Sequence, residues 1–291
     1  MNIYLVIYSI NKIYKGREIN YLKMIKACIF DLGGTIVDKF SITPLLSLKN
    51  TFQKQGILIN DKLIFKDMGK NKLDHIKDIL DDPVVSRNWM HKFGTLPGNN
   101  EANMLFNDFN EIQGLNCKDY MDILPETKKT IEYLRNNNIK TGVTTGFNKT
   151  NMLLVKDKLE KENIMIDNYV SSTCLNLPAR PSPSMVIENM KKLNVLDPRD
   201  VIKIDDTVVG IKEGKNADCW TVGVSMWSTN MKVKSMYEAE HISRDELQMR
   251  NDASRYILLG SGADYVIDNL NELPIIINKI KSQRKNYFLI K

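Results

Sequence analysis

Short, continuously apolar runs separated by helical stretches are the feature that most narrows what this chain can fold into. Ala27-Cys28-Ile29-Phe30 is such a run, and it stops abruptly at Asp31-Leu32-Gly33-Gly34-Thr35. Runs of this length, apolar on both faces and closed by turn residues, suit buried strands of a parallel sheet. Ile139–Thr145 reads as a second such strand, following a helix that Pro125 opens and Asn136-Asn137-Asn138 closes. Asp200–Asp206, Trp220–Val224 and Asp264–Ile267 continue the series. Strands alternating with helices predict an α/β fold, a doubly wound, Rossmann-like parallel sheet.

The long stretch between the first and second runs has no convincing strand. Leu45, Leu48 and Phe52 fall at helical spacing before Gly56, and Asp61–Met68 and Lys72–Leu80 read as two short helices separated by Gly69. Asn88–Phe93 and Asn103–Ile112 continue in the same style. An insert of this length is too long for a loop and must bury its own apolar face. The predicted organisation is an N-terminal extension at residues 1–23, a core from 24–40 and 123–275, a small helical cap at 41–122, and a basic tail at 276–291.

Composition excludes several classes. At 291 residues, 43% hydrophobic and 26% charged, the chain can bury a sizeable core, and no apolar run approaches the roughly 20 residues of a membrane helix. The net charge of +6 is concentrated at the two ends. Lys12, Lys15, Arg17, Lys23 and Lys26 face only Glu18, and Lys279, Lys281, Arg284, Lys285 and Lys291 face no acid, so the intervening body is slightly acidic. That argues against nucleic acid as a partner, which needs a basic face on the body itself. Ile3–Ile10 is followed by no small-residue cleavage site, Met24 offers an alternative start, and the expected location is the cytoplasm. Cys28, Cys117, Cys174 and Cys219 show no metal or disulfide spacing.

Ligands of open parallel sheets bind outside the carboxyl ends of the strands. Three predicted strand ends carry unusual polar residues here: Asp31 and Thr35, then Thr144-Thr145-Gly146, then Asp205-Asp206-Thr207. Carboxylates at two strand ends invite Mg²⁺, which prefers oxygen ligands. A hydroxyl beside Gly146 can hold a phosphoryl oxygen, and Arg180 can supply a fixed cation. Singly, Asp31 also reads as a helix cap, the aspartate pair as a solvated turn, and Arg180 as a surface residue.

Together, Asp31-Leu32-Gly33-Gly34-Thr35, Thr145-Gly146, Arg180 and Asp205-Asp206-Thr207 resemble the four motifs of the haloacid dehalogenase superfamily of aspartate-nucleophile phosphotransferases. More narrowly, the chain resembles the phosphonoacetaldehyde hydrolases (phosphonatases) from about Lys26 to Val224. The most specific likeness is Met68-Gly69-Lys70-Asn71-Lys72-Leu73-Asp74-His75, similar to that family's cap segment bearing a Schiff-base lysine. The resemblance implies a Mg²⁺ enzyme splitting phosphonoacetaldehyde into acetaldehyde and phosphate, and a homodimer. It casts Asp31 as nucleophile, Lys72 as imine former, Thr145, Gly146 and Arg180 as phosphoryl ligands, and Asp31, the Gly33 carbonyl and Asp206 as Mg²⁺ ligands.

The residue chemistry favours the narrow likeness. Ordinary phosphatases of the superfamily place an aspartate two residues after the nucleophile to protonate a departing alkoxide; here that residue is Gly33. A carbon leaving group needs an electron sink instead, which a lysine imine supplies. Lys72 at a helix start meets the positive end of the helix dipole, which favours the free amine, and His75 at i+3 is placed to shuttle protons. Three departures stand out: Gly210 where the family carries a second acid, Asp205 where it carries glycine, and Phe147 where related enzymes carry tyrosine. Gly210 predicts weaker Mg²⁺ binding, which Asp205 either offsets or, pointing away, does not. The rivals are a phosphatase or mutase acting on a small phosphate ester, and a catalytically impaired binding homologue.

Overall fold

The computed structural model of the chain describes residues 25–289; the extension expected at 1–23 lies outside the described residues. Six parallel strands form one sheet: β1 (Ala27–Phe30), β2 (Lys140–Thr145), β3 (Asn168–Ser171), β4 (Val201–Asp205), β5 (Trp220–Val224) and β6 (Tyr265–Ile267). Their spatial order is β3-β2-β1-β4-β5-β6. The chain winds outward from β1 in one direction through β2 and β3, and in the other through β4, β5 and β6. The crevice at the point of reversal therefore opens beside the carboxyl ends of β1, β2 and β4.

Side chains of β1 alternate between two apolar layers. Cys28 and Phe30 join Ile131, Leu134, Val155 and Leu159 on one face, while Ala27 and Ile29 join Val186, Met190 and Ala217 on the other. Strand β3 carries no apolar run, because Asn168 and Ser171 flank only Tyr169 and Val170, and its pairing with β2 alone supplies its identity as an edge strand. Residues from 276 onward, read from the sequence as a basic tail, instead continue the helix Leu273–Leu289. Ile276, Ile277 and Ile280 bury against the same apolar layer as Cys28 and Phe30, so the lysines there decorate an amphipathic helix.

Between β1 and the helix Thr127–Asn136 that leads into β2 lie five α-helices: α1 (Ile42–Lys54), α2 (Asp61–Lys66), α3 (Lys72–Leu80), α4 (Pro83–Phe93) and α5 (Asn99–Tyr120). They surround an apolar cluster of their own, with Leu45, Phe52, Ile64, Ile76, Trp89, Leu105 and Phe109 at its centre. This is the helical cap. Its start signals are local. Asn71 accepts from Leu73 N at 2.9 Å to open α3, and Asp82 accepts from Val84 N at 3.0 Å to open α4, with Pro83 as its first residue. The two chain crossings between cap and core run side by side, joined by Asp38 N donating to Asp122 O at 2.8 Å.

Candidate active site

The carboxyl ends of β1, β2 and β4 bring the polar residues of three distant segments into one buried cluster. Arg180 Nη2 donates to Asp31 Oδ1 at 2.7 Å and to Thr144 Oγ1 and O at 2.7 and 2.8 Å. Its Nε donates to Glu213 Oε2 at 3.0 Å. Asp206 is held by Thr229 N, which donates to Oδ2 at 2.9 Å, and by Thr35 Oγ1, which reaches Oδ1 at 3.5 Å. Asp31, Asp205 and Asp206 each present a carboxylate oxygen within 4.8 Å of the others, all three residues being buried.

So many carboxylates in a dry site oppose their own ionisation. Burial raises the Asp31 pKa, Arg180 pulls it back, and Asp205 raises it again. Asp206 is pushed well above the carboxylate range by burial and by its neighbours Asp205 and Asp31. An oxygen-only donor set with surplus negative charge is what a hard divalent cation such as Mg²⁺ fits. The residues present are therefore suited to such an ion.

A cavity of about 60 Å³ lies over this cluster, with Asp31, Gly33, Thr145, Gly146, Phe147, Arg180 and Thr207 on the core side. Met68, Gly69, Lys70 and Lys72 close it from the cap. So small a volume means that the cap lies close against the core here. Gly69 makes that closure sterically feasible: at φ +90°, a Cβ there would fall 2.7 Å from Val209 Cγ2 and 3.0 Å from Thr207 Cβ. A larger groove of about 560 Å³, lined by Lys39, Tyr120, Asp122 and Lys158 among others, shares no residue with it.

Lys72 is the first residue of α3. Desolvation beneath the cap lowers its pKa to about 8, against an opposing pull from Asp31 and with help from Arg180. His75 is fully buried one turn further on and does not line the cavity. Burial, then the charge of Lys72, drives its pKa down to about 2, so the imidazole stays neutral. Of the residues singled out in the sequence, Asp31, Gly33, Lys72, Thr145, Gly146 and Arg180 share the cavity lining, and Asp206 sits within 4.8 Å of Asp31 in the carboxylate cluster behind it.

Residues 25–218 match the family model of the haloacid dehalogenase-like hydrolases. The chain belongs to that family. It is an enzyme, a hydrolase. A phosphonoacetaldehyde hydrolase of Bacillus cytotoxicus is 33% identical over 89% of this chain and 97% of its own length. One from Bacteroides fragilis is 31% identical over 90% of this chain and 99% of its own. The crystal structure of a phosphonoacetaldehyde hydrolase-like protein from Oleispira antarctica superposes with a TM-score of 0.85 at 26% identity, covering 89% of this chain and 94% of that one. Among the described residues no helix is long and apolar enough to cross a membrane.

Within this hydrolase, the departures at 205 and 210 are a single packing fact. A Cβ on Gly210 would overlap the Asp205 carboxyl group outright. Asp205 does not point away: its Oδ1 accepts from Thr207 Oγ1 at 2.7 Å and Thr207 N at 3.0 Å, and its Oδ2 from Lys203 Nζ at 2.7 Å. Lys203 and Glu213 join the cluster, although the sequence alone assigns neither of them a role in the site. The one available signal is a lysine inside a strand otherwise apolar. Gly210→Ala is expected to cost roughly 1–3 kcal/mol in urea unfolding, as overpacked cores do. In an Asp205→Ala background the cost should vanish, and a double-mutant cycle without coupling would refute the shared space.

Proposed function

We propose that the enzyme cleaves the C–P bond of phosphonoacetaldehyde to acetaldehyde and phosphate. The observation that carries this reading is that a cap lysine, Lys72, and the core pair Asp31–Arg180 line the same small cavity, while the residue two after Asp31 is Gly33. An alkoxide leaving group would need an acid at that position. An enamine does not.

In this mechanism the Lys72 amine condenses with the substrate aldehyde, releasing water and leaving an imine. Asp31 attacks phosphorus, and the electron pair of the breaking C–P bond passes into the imine to give an enamine. Protonation at carbon and hydrolysis free acetaldehyde and Lys72, and water then clears the aspartyl-phosphate. Arg180 and the Thr145 and Gly146 turn hold the phosphoryl oxygens, and Arg180 is fixed for this by Glu213 and Thr144. Asp31, Asp206 and the Gly33 carbonyl would hold Mg²⁺, which neutralises charge on the transferring group when bound. His75, neutral and enclosed, supports Lys72 from within the cap and adds no charge that would oppose the free amine.

Substrate cannot enter a cavity of about 60 Å³ unless the cap opens, so closure assembles Lys72 over Asp31. The reading extends to a cytoplasmic homodimer taking a small phosphonate, with neither nucleic acid nor membrane as partner. The test is phosphate release from phosphonoacetaldehyde against a panel of small phosphate esters. The phosphonate rate is expected to dominate. It should climb about tenfold per pH unit below a midpoint of about 8 and level off above it, because only the unprotonated Lys72 condenses. Faster turnover of esters would point to the phosphatase or mutase, and no turnover of either to a binding homologue.

A further inference from the structure

Behind the cavity, strand β4 and the helix Val208–Asn216 meet through charges and glycines in register. Lys203 and Asp205 are two residues apart on β4, on the face opposite Ile202 and Ile204. Gly210 and Gly214 are four apart on the helix. Two strand residues advance about 6.6 Å and four helical residues about 6 Å, so the two pairs face each other. Gly210 leaves the space that the Asp205 carboxylate fills, and a Cβ on Gly214 would stand 2.7 Å from Lys203 Cβ.

Glu213, on the same helix, turns into the same layer. Its Oε2 takes Arg180 Nε at 3.0 Å, Thr144 Oγ1 at 3.2 Å and Lys203 Nζ at 3.5 Å. Asp205 Oδ2 takes Lys203 Nζ at 2.7 Å and lies 3.6 Å from Arg180 Nη2. Arg180 is thus gripped at Nε by one carboxylate and attracted at Nη2 by the other, and Lys203 binds both of them. Lys203, Asp205 and Glu213 are each fully buried, and none lines the cavity. Buried ion pairs are poor sources of stability, so a set this well fitted calls for another role.

We propose that Lys203 is a positioning residue for phosphoryl transfer: paired with Asp205 and Glu213, its buried ammonium holds the two carboxylates that aim Arg180 at Asp31. The role rests on the reading that Asp31 receives a phosphoryl group. Lys203 touches neither substrate nor cation. It acts through Asp205 and Glu213, and Gly210 and Gly214 are the clearances that let its network fit between strand and helix.

Lys203→Met alone leaves two buried carboxylates short of a partner and can fail to fold. The decisive variant is Lys203→Met/Asp205→Asn, which removes both charges and keeps both volumes. Circular dichroism and thermal melting should match the parent. The affinity for inorganic phosphate at saturating Mg²⁺, read by calorimetry, should fall about tenfold, and kcat by about ten- to a hundredfold with KM little changed. A folded double variant with parental phosphate affinity and kcat would show a merely structural ion pair and overturn the proposal. Loss of phosphate affinity in the variant, together with a parent that spares phosphonoacetaldehyde but cleaves esters, would keep the positioning role and overturn only the substrate.

Discussion

Lys72→Arg is expected to lose phosphonoacetaldehyde cleavage by on the order of 10⁴-fold or more, while folding and Mg²⁺ binding persist. The guanidinium keeps the positive charge but stays protonated and cannot condense with an aldehyde. The electron pair of the C–P bond then has nowhere to go. In the parent, borohydride added with substrate should trap a covalent adduct, and mass mapping should place it at Lys72. An adduct on any other lysine, or undiminished turnover by Lys72→Arg, would remove the imine from the mechanism. The size of the effect follows from the cavity. It is small, and of the residues lining it only Lys70 and Lys72 carry amines. Lys70 is engaged by Asp67 at 2.5 Å and Asp78 at 2.9 Å, and these pairs raise its pKa.

Asp31→Asn should abolish turnover to a similar extent, since an amide is a poor nucleophile and a weaker cation ligand. It should spare the first step, and here the electrostatics make a finer prediction. The Asp31 charge raises the Lys72 pKa, working against burial. Removing that charge should therefore move the midpoint of borohydride trapping below about 8, so that the Asp31→Asn enzyme forms the imine at lower pH than the parent. The check is trapping yield against pH for both proteins. Loss of trapping in Asp31→Asn would mean that the carboxylate acts in imine formation itself, and retained phosphate release would exclude an aspartyl-phosphate.

The parts of the site visible in the sequence are those whose position follows from fold class. Asp31, Thr145 and Asp206 each lie at the end of a short segment that reads as a buried strand, and parallel strands deliver their carboxyl ends to one rim. The helical cap is visible for the same reason: Leu45, Leu48 and Phe52 keep helical spacing, and Asn71 opens Lys72–Leu80 with a cap that needs no distant partner. Strand β3 is not visible, because Asn168-Tyr169-Val170-Ser171 is a strand only by virtue of pairing with β2. The C-terminal helix reads as a basic tail because its lysines mask Ile276, Ile277 and Ile280, whose burial depends on the sheet beneath them.

His75 and Asp205 show the same divide at single residues. Spacing puts His75 on the helical face of Lys72, but only packing of the cap encloses it and strips it of charge at neutral pH. Sequence alone leaves the direction of Asp205 open, and the clearance at Gly210 with the ammonium of Lys203 decides it. Local chemistry in the chain therefore determined five of the six strands, the helix caps, the helical insert and the order of polar residues along the rim. Tertiary structure decided which charges are desolvated and which carboxylate faces which cation, because those energies depend on distances between segments far apart in sequence.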